Sequence, residues 1–532
     1  MNKATGIAKT SAKGGFKLFI GVSISSVITA LSLILVLRLL NNADDYGIIT
    51  TALIFPVMLA LFKDWGTNSA MIKFLAQYKA ENKTDKIKNV MVAGMLFELV
   101  MGVLLTLVCF FMADFLAISV FKLPEAKVLI EIASLTIIAD SFLKISQSTF
   151  IGLERLEFHS LTLILNSCMR CALAPVLVFF GFGVLGAIQG QVVAQIIAGV
   201  IGIIIFYVSF LRKTTETSLN KSDIVNTLKT MLKYGVPLSV SLVISGFLPQ
   251  FYSTLLTQSF PTTAGYTSAL GNYQASTNFM VIVSFFTVPI TTVLFPAFSK
   301  LKAKTEENTL RVVFQSSVKY GALLTLPVTL MVIVLSEPLV FAIVGTEYTD
   351  APFFLMINSI SNLYTGFGHL SVGNFLNGQN KTHITMRLAF VTLGTGVISS
   401  FILISQFKVV GLIFTNLISI APSLFWGIWY VKKHFGATID WVASAKILLA
   451  SLIAGVFTHL LLSQLNYSYI VELVVGGVAF LLAYLVAAPL IRAVNKRDVE
   501  SLRQMLSGLG PFSPIFNIPL MIIEKLLDVF KV

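Results

Sequence analysis

The chain has 532 residues, of which 56% are hydrophobic and only 12% are charged, and its mean hydropathy is +0.86. Soluble domains carry about 25% charged residues, so the composition excludes a chain of two to four soluble domains. The net charge is +13, but the basic residues flank apolar runs instead of alternating with exposed aromatic residues, which argues against nucleic acid as a partner. We therefore predict an all-α polytopic membrane protein whose first partner is the lipid bilayer.

Fourteen apolar runs are long enough to cross a bilayer, which requires roughly 20 residues of helix. The predicted transmembrane helices are 16–40, 46–62, 89–112, 127–150, 160–180, 184–210, 234–257, 268–294, 318–336, 351–375, 384–406, 409–431, 441–463 and 468–491.

The positions of lysine and arginine predict which side of the membrane each loop faces. With a cytoplasmic N-terminus, the outer loops contain only three of the 38 basic residues, Lys122, Lys127 and Lys408. Basic residues accumulate on the cytoplasmic side of membrane proteins. We therefore expect a multi-pass protein of the cell (plasma) membrane with both termini in the cytoplasm.

Short patterns around the first six spans recur around the next six. Asp45-Tyr46-Gly47 after the first span matches Gly265-Tyr266-Thr267 after the seventh, and Val184-Leu185-Gly186 at the sixth matches Val409-Val410-Gly411 at the twelfth. Because six crossings return the chain to its starting side, a pseudo-two-fold axis along the membrane normal would relate the two repeats. Two such lobes could rock around a central cleft, which is how a transporter works.

This repeat predicts the domain organisation. We expect an N-terminal six-helix lobe at 1–215, a C-terminal six-helix lobe at 216–436, two additional transmembrane helices at 437–495, and a cytoplasmic or interfacial amphipathic tail at 496–532.

Motifs at the ends of the spans carry a family resemblance. They are Tyr46-Gly47, Trp65-Gly66, Gly152-Leu153-Glu154-Arg155, Gly183-Val184-Leu185-Gly186, Tyr234-Gly235-Val236-Pro237, Leu294-Phe295-Pro296 and Gly345-Thr346-Glu347-Tyr348. With these motifs the chain resembles the polysaccharide-biosynthesis (Wzx-like) lipid-linked oligosaccharide flippases of the multidrug/oligosaccharidyl-lipid/polysaccharide (MATE-like) superfamily. The resemblance implies an isoprenoid-phosphate-linked glycan that moves from the cytoplasmic to the outer leaflet.

Ionisable side chains inside the predicted spans are functional candidates, because a charge at the centre of a bilayer costs about 2.5–3.5 kcal/mol on insertion scales. They are Arg38, Glu98, Asp140, Lys144 and Arg170. Glu98 and Arg170 lie at similar depth, and Asp140 and Lys144 share one helix face. Three interpretations stay open: an ion-pair network within the lobe, an acid that takes up a proton or Na⁺, and an arginine that pairs bidentately with pyrophosphate.

In the resembling proteins the first two helices of each lobe line the cleft, and here those helices carry little charge. Spans seven and eight offer amides, which suit hydrogen bonding to sugars better than binding of a strongly anionic cargo. Our candidate substrate-binding residues are Arg38, Arg170, Gln250 and Asn272, and our candidates for ion coupling or the intralobe network are Glu98, Asp140 and Lys144.

Two further patterns are weighed. Cys168 and Cys171 have metal-type spacing but lie inside an apolar span with no second pair, so we predict no metal site and no cofactor. In the tail, Leu520, Ile523, Leu527 and Phe530 share one helical face, which predicts a helix in the inner membrane interface. The alternative is that this face docks to a partner, a glycosyltransferase or a polymerase. No triad, phosphate loop or nucleotide motif is found, so we do not expect an enzyme.

The sequence therefore favours a flippase for lipid-linked oligosaccharide that serves cell-surface polysaccharide or glycoprotein synthesis. The alternative on the same scaffold is an H⁺- or Na⁺-coupled efflux antiporter for drugs or metabolites, which the acids of the first lobe favour. A non-transporting scaffold for glycan enzymes is the third reading, and the two-lobe repeat argues against it.

Overall fold

The structure is a computed structural model. It describes residues 2–211, 220–301, 306–464 and 467–496, and in the tail 498–500, 503, 521–522 and 524–528. All regular secondary structure in these ranges is helical. Parts of the predicted basic loops, at 212–219 and 302–305, lie outside the described residues.

The chain divides into two compact units, Met1–Gly271 and Asn272–Val532. The predicted lobe boundaries after residues 215 and 436 stay predictions. The helices that begin in the first unit are α1 (Asn2–Leu40), α2 (Ala43–Ala60), α3 (Thr67–Ala80), α4 (Thr84–Phe115), α5 (Ala126–Gly152), α6 (Leu156–Leu177), α7 (Gly183–Phe206), α8 (Lys221–Gln258) and α9 (Thr263–Phe279).

The helices of the second unit are α10 (Val281–Lys300), α11 (Glu307–Val334), α12 (Ser336–Ile343), α13 (Ala351–Ser359), α14 (His369–Gly378), α15 (Thr382–Phe435), α16 (Trp441–Leu462) and α17 (Tyr469–Leu490). Several begin at side-chain caps that satisfy free backbone N–H groups. Asn42 accepts from the backbone N–H of Asp44 at α2, and Asp440 accepts from that of Ala443 at α16.

Nine helical segments among the described residues are long and apolar enough to cross a membrane. They are Gly21–Leu40, Ala43–Ala60, Thr84–Val120, Leu156–Phe210, Ser239–Gln258, Glu307–Val334, Thr382–Phe435, Trp441–Leu462 and Tyr469–Leu490. In a bilayer only structures that satisfy their own backbone hydrogen bonds can span, and helices do so. The all-α polytopic prediction is confirmed, whereas the count of fourteen spans stays a prediction.

Two of these segments are too long for a single crossing. Leu156–Phe210 and Thr382–Phe435 contain 55 and 54 residues, which at 1.5 Å per residue is roughly 80 Å of helix. The first bends at Gly181 and Gly183, which have φ of 89° and 50°, and the second bends at Lys408, with φ of 52°. Each segment therefore consists of two helices joined by a sharp turn.

Contacts across the turn at Lys408 show that the two parts of α15 pack against each other. The Thr392 hydroxyl donates to the Ser423 hydroxyl at 2.8 Å, and the Thr395 hydroxyl donates to the Ser419 carbonyl oxygen at 3.1 Å. Two of the predicted spans are interrupted instead. Residues 268–294 divide into α9 and α10, and residues 351–375 divide at Gly368, whose φ of 84° ends a helix.

Glycines bring α2 and the turn after it very close to α8 and α9. A Cβ on Gly47 would collide with the backbone of Thr267, and one on Gly271 would collide with that of Ala43. At the other end of α2, a Cβ on Gly66 would collide with the backbone of Gly235, and one on Gly235 with that of Gly66. The backbones therefore touch directly at both ends, which is possible only where side chains are missing.

The described part of the tail packs against the second unit. Leu527 is fully buried in a cluster with α11, α16 and α17, and the Lys319 ammonium lies 2.6 Å from Asp498 Oδ2. The hydrogen bond to Asp528 raises the pKa of Lys496 above its ordinary value. Three residues of the predicted apolar face, Leu520, Ile523 and Phe530, lie outside the described residues, so the interfacial helix stays a prediction.

Candidate functional site

An ion-pair cluster lies between α2, α4 and α5. Lys63 Nζ is 3.1 Å from Glu98 Oε2 and 3.1 Å from Asp140 Oδ2, so one ammonium serves two carboxylates. The side chain of Lys63 is 2% exposed and that of Glu98 is 0% exposed, whereas Asp140 is 28% exposed. Charges removed from water in this way are tolerated only when they are paired.

The local backbone explains how a lysine from the end of α2 reaches this position. After α2 the chain makes a tight turn in which Trp65 and Gly66 both have positive φ, 47° and 78°. Asp64 lies just before α3 and bonds to its first turn: its Oδ1 accepts from the backbone N–H of Asn68 at 2.8 Å and from the Thr67 hydroxyl at 3.0 Å. The turn holds Lys63 between α4 and α5.

A second layer of hydrogen bonds fixes the buried acid. Asn68 Nδ2 donates to Glu98 Oε1 at 2.6 Å, and the Ser148 hydroxyl donates to Asn68 Oδ1 at 2.9 Å. Both oxygens of Glu98 are thus occupied, one by an ammonium and one by an amide. Among the described residues, Asp140 is bonded to Lys63 and has a long contact of 3.5 Å from Gln195 Nε2, so it keeps capacity to accept further hydrogen bonds.

A cavity of about 520 Å³ opens beside this cluster within the first unit. Its polar lining consists of Lys63, Asp64, Asn68, Ser69, Thr136, Asp140, Lys144, Gln147, Ser148, His159, Gln191, Gln195 and Ser239. A volume in the range of 300–1,000 Å³ is typical of small-molecule sites. Aliphatic side chains of α2 and α8, among them Leu53 and Leu242, form the apolar part of the wall.

Two polar groups of the cavity wall have spare bonding capacity. His159 is 9% exposed, and its Nδ1 has no hydrogen-bond partner within the described part of the chain. Lys144 is exposed and forms no ion pair with any described residue. A buried polar atom without a partner is costly, so a ligand in the cavity would gain by bonding to His159.

Arg170 lies elsewhere, along the contact between α1 and α6. Hydroxyls line this contact: Ser25 and Ser167 are hydrogen-bonded at 2.5 Å, and the Thr29 hydroxyl donates to Ser167 Oγ at 3.0 Å. Arg170 lies one turn further along α6. The structure therefore gives Glu98 the partner Lys63, and it does not pair Glu98 with Arg170 as their similar depth suggested.

The remaining predicted residues do not join this cavity. Arg38 is exposed in the last turn of α1, and Gln250 is half-buried in α8. Asn272 is 1% exposed, and its Oδ1 accepts from the backbone N–H groups of Asp350 and Ala351 at 3.2 and 3.1 Å, which caps the start of α13. Asp140 and Lys144 do line the same cavity, in agreement with their shared helix face.

Sequence reasoning missed Lys63, Asn68 and His159 as site residues. Lys63 was counted with the basic cytoplasmic loop, because it follows the apolar part of α2 directly. The signal that could have identified it is its place before Trp65-Gly66, a turn that redirects the chain. The described residues contain no group of three His, Cys, Asp or Glu that could hold a metal ion.

The apolar helices and the polar cavity among them define a class, a multi-pass helical membrane protein. The family is shown by sequence: residues 11–302 match the model of the polysaccharide biosynthesis protein family, and the chain belongs to that family.

Two curated proteins are similar to the chain. One is an "Uncharacterized membrane protein" of Methanocaldococcus jannaschii, 20% identical over 483 residues that cover 86% of this chain and 91% of that protein. The other is "Probable low-salt glycan biosynthesis flippase Agl15" of Haloferax volcanii, 21% identical over 296 residues that cover 55% of this chain and 60% of that protein.

Solved structures show the fold. The lipid II flippase MurJ in an inward closed conformation matches with a TM-score of 0.71 at 16% identity and covers 89% of this chain and 98% of its own. An inward-facing multidrug resistance MATE family transporter of the MOP superfamily matches with a TM-score of 0.62 at 16% identity, over 79% of this chain and 98% of its own.

Proposed function

We propose that the protein flips a lipid-linked oligosaccharide, a glycan on an isoprenoid phosphate, from the cytoplasmic to the outer leaflet. The glycan would serve cell-surface polysaccharide or glycoprotein synthesis. The observation that carries the proposal is the 520 Å³ cavity with its amide, hydroxyl and charged lining, inside a chain of a polysaccharide biosynthesis family. Such groups form hydrogen bonds with sugar hydroxyls, and these bonds replace the ones that a neutral or weakly charged headgroup makes with water.

Residue roles follow from exposure and bonding. Asp140 and Lys144 face the cavity and would contact the headgroup, with Lys144 available to a phosphate oxygen. Glu98 would hold Lys63 in place without touching cargo. Arg170 and Arg38 stay candidates for a phosphate contact, and Gln250 and Asn272 stay candidates for hydrogen bonds to sugar in the predicted second lobe.

Alternating access would come from rocking of the two predicted lobes, with both termini in the cytoplasm and the protein in the plasma membrane. The direct backbone contacts at both ends of α2, Gly47 with Thr267 and Gly66 with Gly235, support this mechanism. They join helices of the predicted first lobe to α8 and α9, and each could open in turn. Glycosyltransferases or a polymerase that make or use the glycan would be the protein partners.

A second candidate function is cation-coupled efflux of drugs or metabolites. The observation that favours it is that Lys63 is shared by two carboxylates, of which Asp140 is reachable from the cavity. The cluster contains one more acid than base, so it could bind a proton or Na⁺ when the lobes move. The same site could also couple an ion to glycan transport.

Gene deletion with complementation tests the proposal. We expect the deletion strain to accumulate lipid-linked glycan on the cytoplasmic face. The measurement is lectin labelling of the glycan in sealed vesicles compared with opened vesicles. Wild-type protein should restore export, and Asp140→Asn and Lys144→Gln should reduce it at least tenfold at equal expression. Lys127→Gln, which removes an exposed lysine paired with Asp114, is the matched control and should restore export fully.

Normal glycan export in the deletion strain would reject the flippase function. Loss of drug or metabolite resistance with intact export would favour the efflux antiporter instead. Full rescue by both Asp140→Asn and Lys144→Gln would reject only the proposal that the 520 Å³ cavity binds the glycan headgroup.

A further inference from the structure

A second cavity, of about 420 Å³, lies between α3, α4 and α8 in the first unit. It is lined by Phe74, Tyr78, Asp85, Lys86, Asn89, Val90, Asp223, Asn226, Thr227, Thr230 and Met231. None of these residues lines the 520 Å³ cavity beside Lys63. The second cavity opens near the first turns of α4 and α8, on the side predicted to be cytoplasmic, and so it is a separate place on the molecule.

One wall of this cavity is aromatic. Phe74 and Tyr78 are one turn apart on α3, and their rings are stacked with centroids 6.1 Å apart at 21°. Tyr234 meets the Phe74 ring edge-on at 5.8 Å. Both lining rings are only partly buried, so they present apolar area with a hydroxyl at one end, a surface suited to a flat, amphipathic ligand.

The facing walls carry acceptors and donors at helical spacing. Asp85 and Asn89 are four residues apart on α4, and Asp223, Thr227 and Thr230 follow one face of α8 beside Asn226. Carboxylates accept hydrogen bonds only, whereas amides both donate and accept. The walls therefore offer a mixture of bonding partners around an apolar ring face.

These polar side chains are not used by the fold. Asp85, Asn89, Asp223 and Asn226 make no side-chain hydrogen bond or ion pair with any residue that the structure describes. Neighbouring charges behave differently, since Lys79 pairs with Glu154 at 2.8 Å on the same side of the molecule. Lys86 lies 5.4 Å above the Tyr78 ring and is the single cation among the lining residues.

From this arrangement we propose that the cavity binds a neutral sugar ring, a hexose or an N-acetylhexosamine. The C–H face of a pyranose would lie on Phe74 and Tyr78, and its hydroxyls would donate to Asp85 and Asp223 and accept from Asn89 and Asn226. The lining carries two carboxylates, Asp85 and Asp223, and one lysine, Lys86. This net negative charge disfavours phosphate or an acidic peptide as the ligand. A cavity of this volume accommodates a ligand of one or two rings.

The site goes beyond the proposed transport function, because it is separate from the cavity that would hold cargo. The sugar could come from the glycan of a lipid-linked substrate or from a soluble saccharide. Either sugar would bond to α8 as well as to α3 and α4, near the contact between Gly66 and Gly235. It would therefore stabilise that contact.

Binding to purified full-length protein in detergent tests the proposal without any transport assay. The probes are glucose, galactose and N-acetylglucosamine, followed by saturation-transfer NMR, with phosphate and Ca²⁺ as competing chemistries. We expect saturable millimolar binding of at least one sugar, weakened at least tenfold by Asn226→Ala and by Asn89→Ala. Gln77→Ala, next to Tyr78 but bonded to Glu81 on the outer face of α3, should leave binding unchanged.

Sources of the sugar are distinguished in nanodiscs. Tighter binding of a lipid-linked saccharide than of the free sugar assigns the glycan substrate, and equal binding assigns a soluble saccharide; both support the site. No saturable sugar binding, binding of phosphate or Ca²⁺ alone, or loss of sugar binding in Lys144→Gln but not in Asn226→Ala would overturn it. Asp140→Asn should keep the part of the sugar binding that Asn226→Ala removes, even if it stops transport, so the two proposals fail separately.

Discussion

Lys63 enters the protein interior from the turn that follows α2 and compensates two acids there. Lys63 and Glu98 are both buried, and Lys63 Nζ is 3.1 Å from Glu98 Oε2. Removing one partner of a buried pair leaves an uncompensated charge, which costs about 3–5 kcal/mol, far more than the pair contributes relative to apolar residues. Replacing one member of the cluster should therefore destabilise the protein more than replacing the buried pair together.

Lys63→Met should destabilise the protein by about 3–5 kcal/mol, because Glu98 would stay buried with no cation. Thermal unfolding of purified protein in detergent measures this. The control is Lys79→Met, which removes an exposed lysine from its pair with Glu154 and should cost no more than about 1 kcal/mol. Equal effects of the two substitutions would contradict the buried pairing.

Glu98→Gln and Asp140→Asn should differ although both remove one negative charge. Glu98 has both oxygens bonded and no exposure, so the amide should lower the unfolding temperature strongly. Asp140 is partly exposed to the cavity, so its amide should be tolerated by the fold while transport falls. The two variants are compared by unfolding temperature and by glycan export. A stable Glu98→Gln that lost export, beside an unstable Asp140→Asn, would contradict the roles given to these two acids.

At the scale of elements, the contact between α8 and the turn before α3 depends on glycine. A methyl group at residue 235 would meet the backbone of Gly66. Gly235→Ala should therefore cost about 1–3 kcal/mol through overpacking, although alanine is the better helix former. The measurement is again the unfolding temperature.

Gly394→Ala is the matched control, because Gly394 is also helical and a Cβ there meets nothing within 4 Å. It should be neutral or stabilising by up to about 1 kcal/mol. If Gly235→Ala proved as harmless as Gly394→Ala, the two backbones would not touch in the folded protein.

The tail offers a second test at this scale. Leu527 is fully buried against α11, α16 and α17, so Leu527→Ala should cost about 2–5 kcal/mol. Met521 is 48% exposed, and Met521→Ala should stay within about 0.5 kcal/mol. Both variants are compared by limited proteolysis and unfolding temperature. A tail that only lies on the membrane surface would show no difference.

At the scale of the whole molecule, the sequence was informative where a property depends on local composition. Long apolar runs predicted α16 and α17 to within one residue at each end, because helices that cross a bilayer must be apolar throughout. The family followed from turn motifs such as Trp65-Gly66, whose positive φ the structure shows.

Contacts between distant segments could not be predicted in the same way. Depth along a helix suggested Glu98 with Arg170, but depth leaves the direction of each side chain open, and Glu98 contacts Lys63 and Asn68 instead. The hydrogen bonds from the backbone N–H groups of Asp350 and Ala351 to Asn272 Oδ1 were also not predicted. The breaks at Gly368 and after Phe279 were likewise hidden inside continuous apolar runs.

Reconstitution of the purified protein into vesicles that carry a lipid-linked oligosaccharide tests the central claim most directly. The measurement is the fraction of glycan that an externally added glycosidase can reach over time. We expect rapid, complete access with wild-type protein. A cross-linker between Asp44→Cys and Thr267→Cys, whose native side chains are hydrogen-bonded at 2.7 Å, should stop it in a cysteine-free background. Access at the rate of protein-free vesicles would contradict the account.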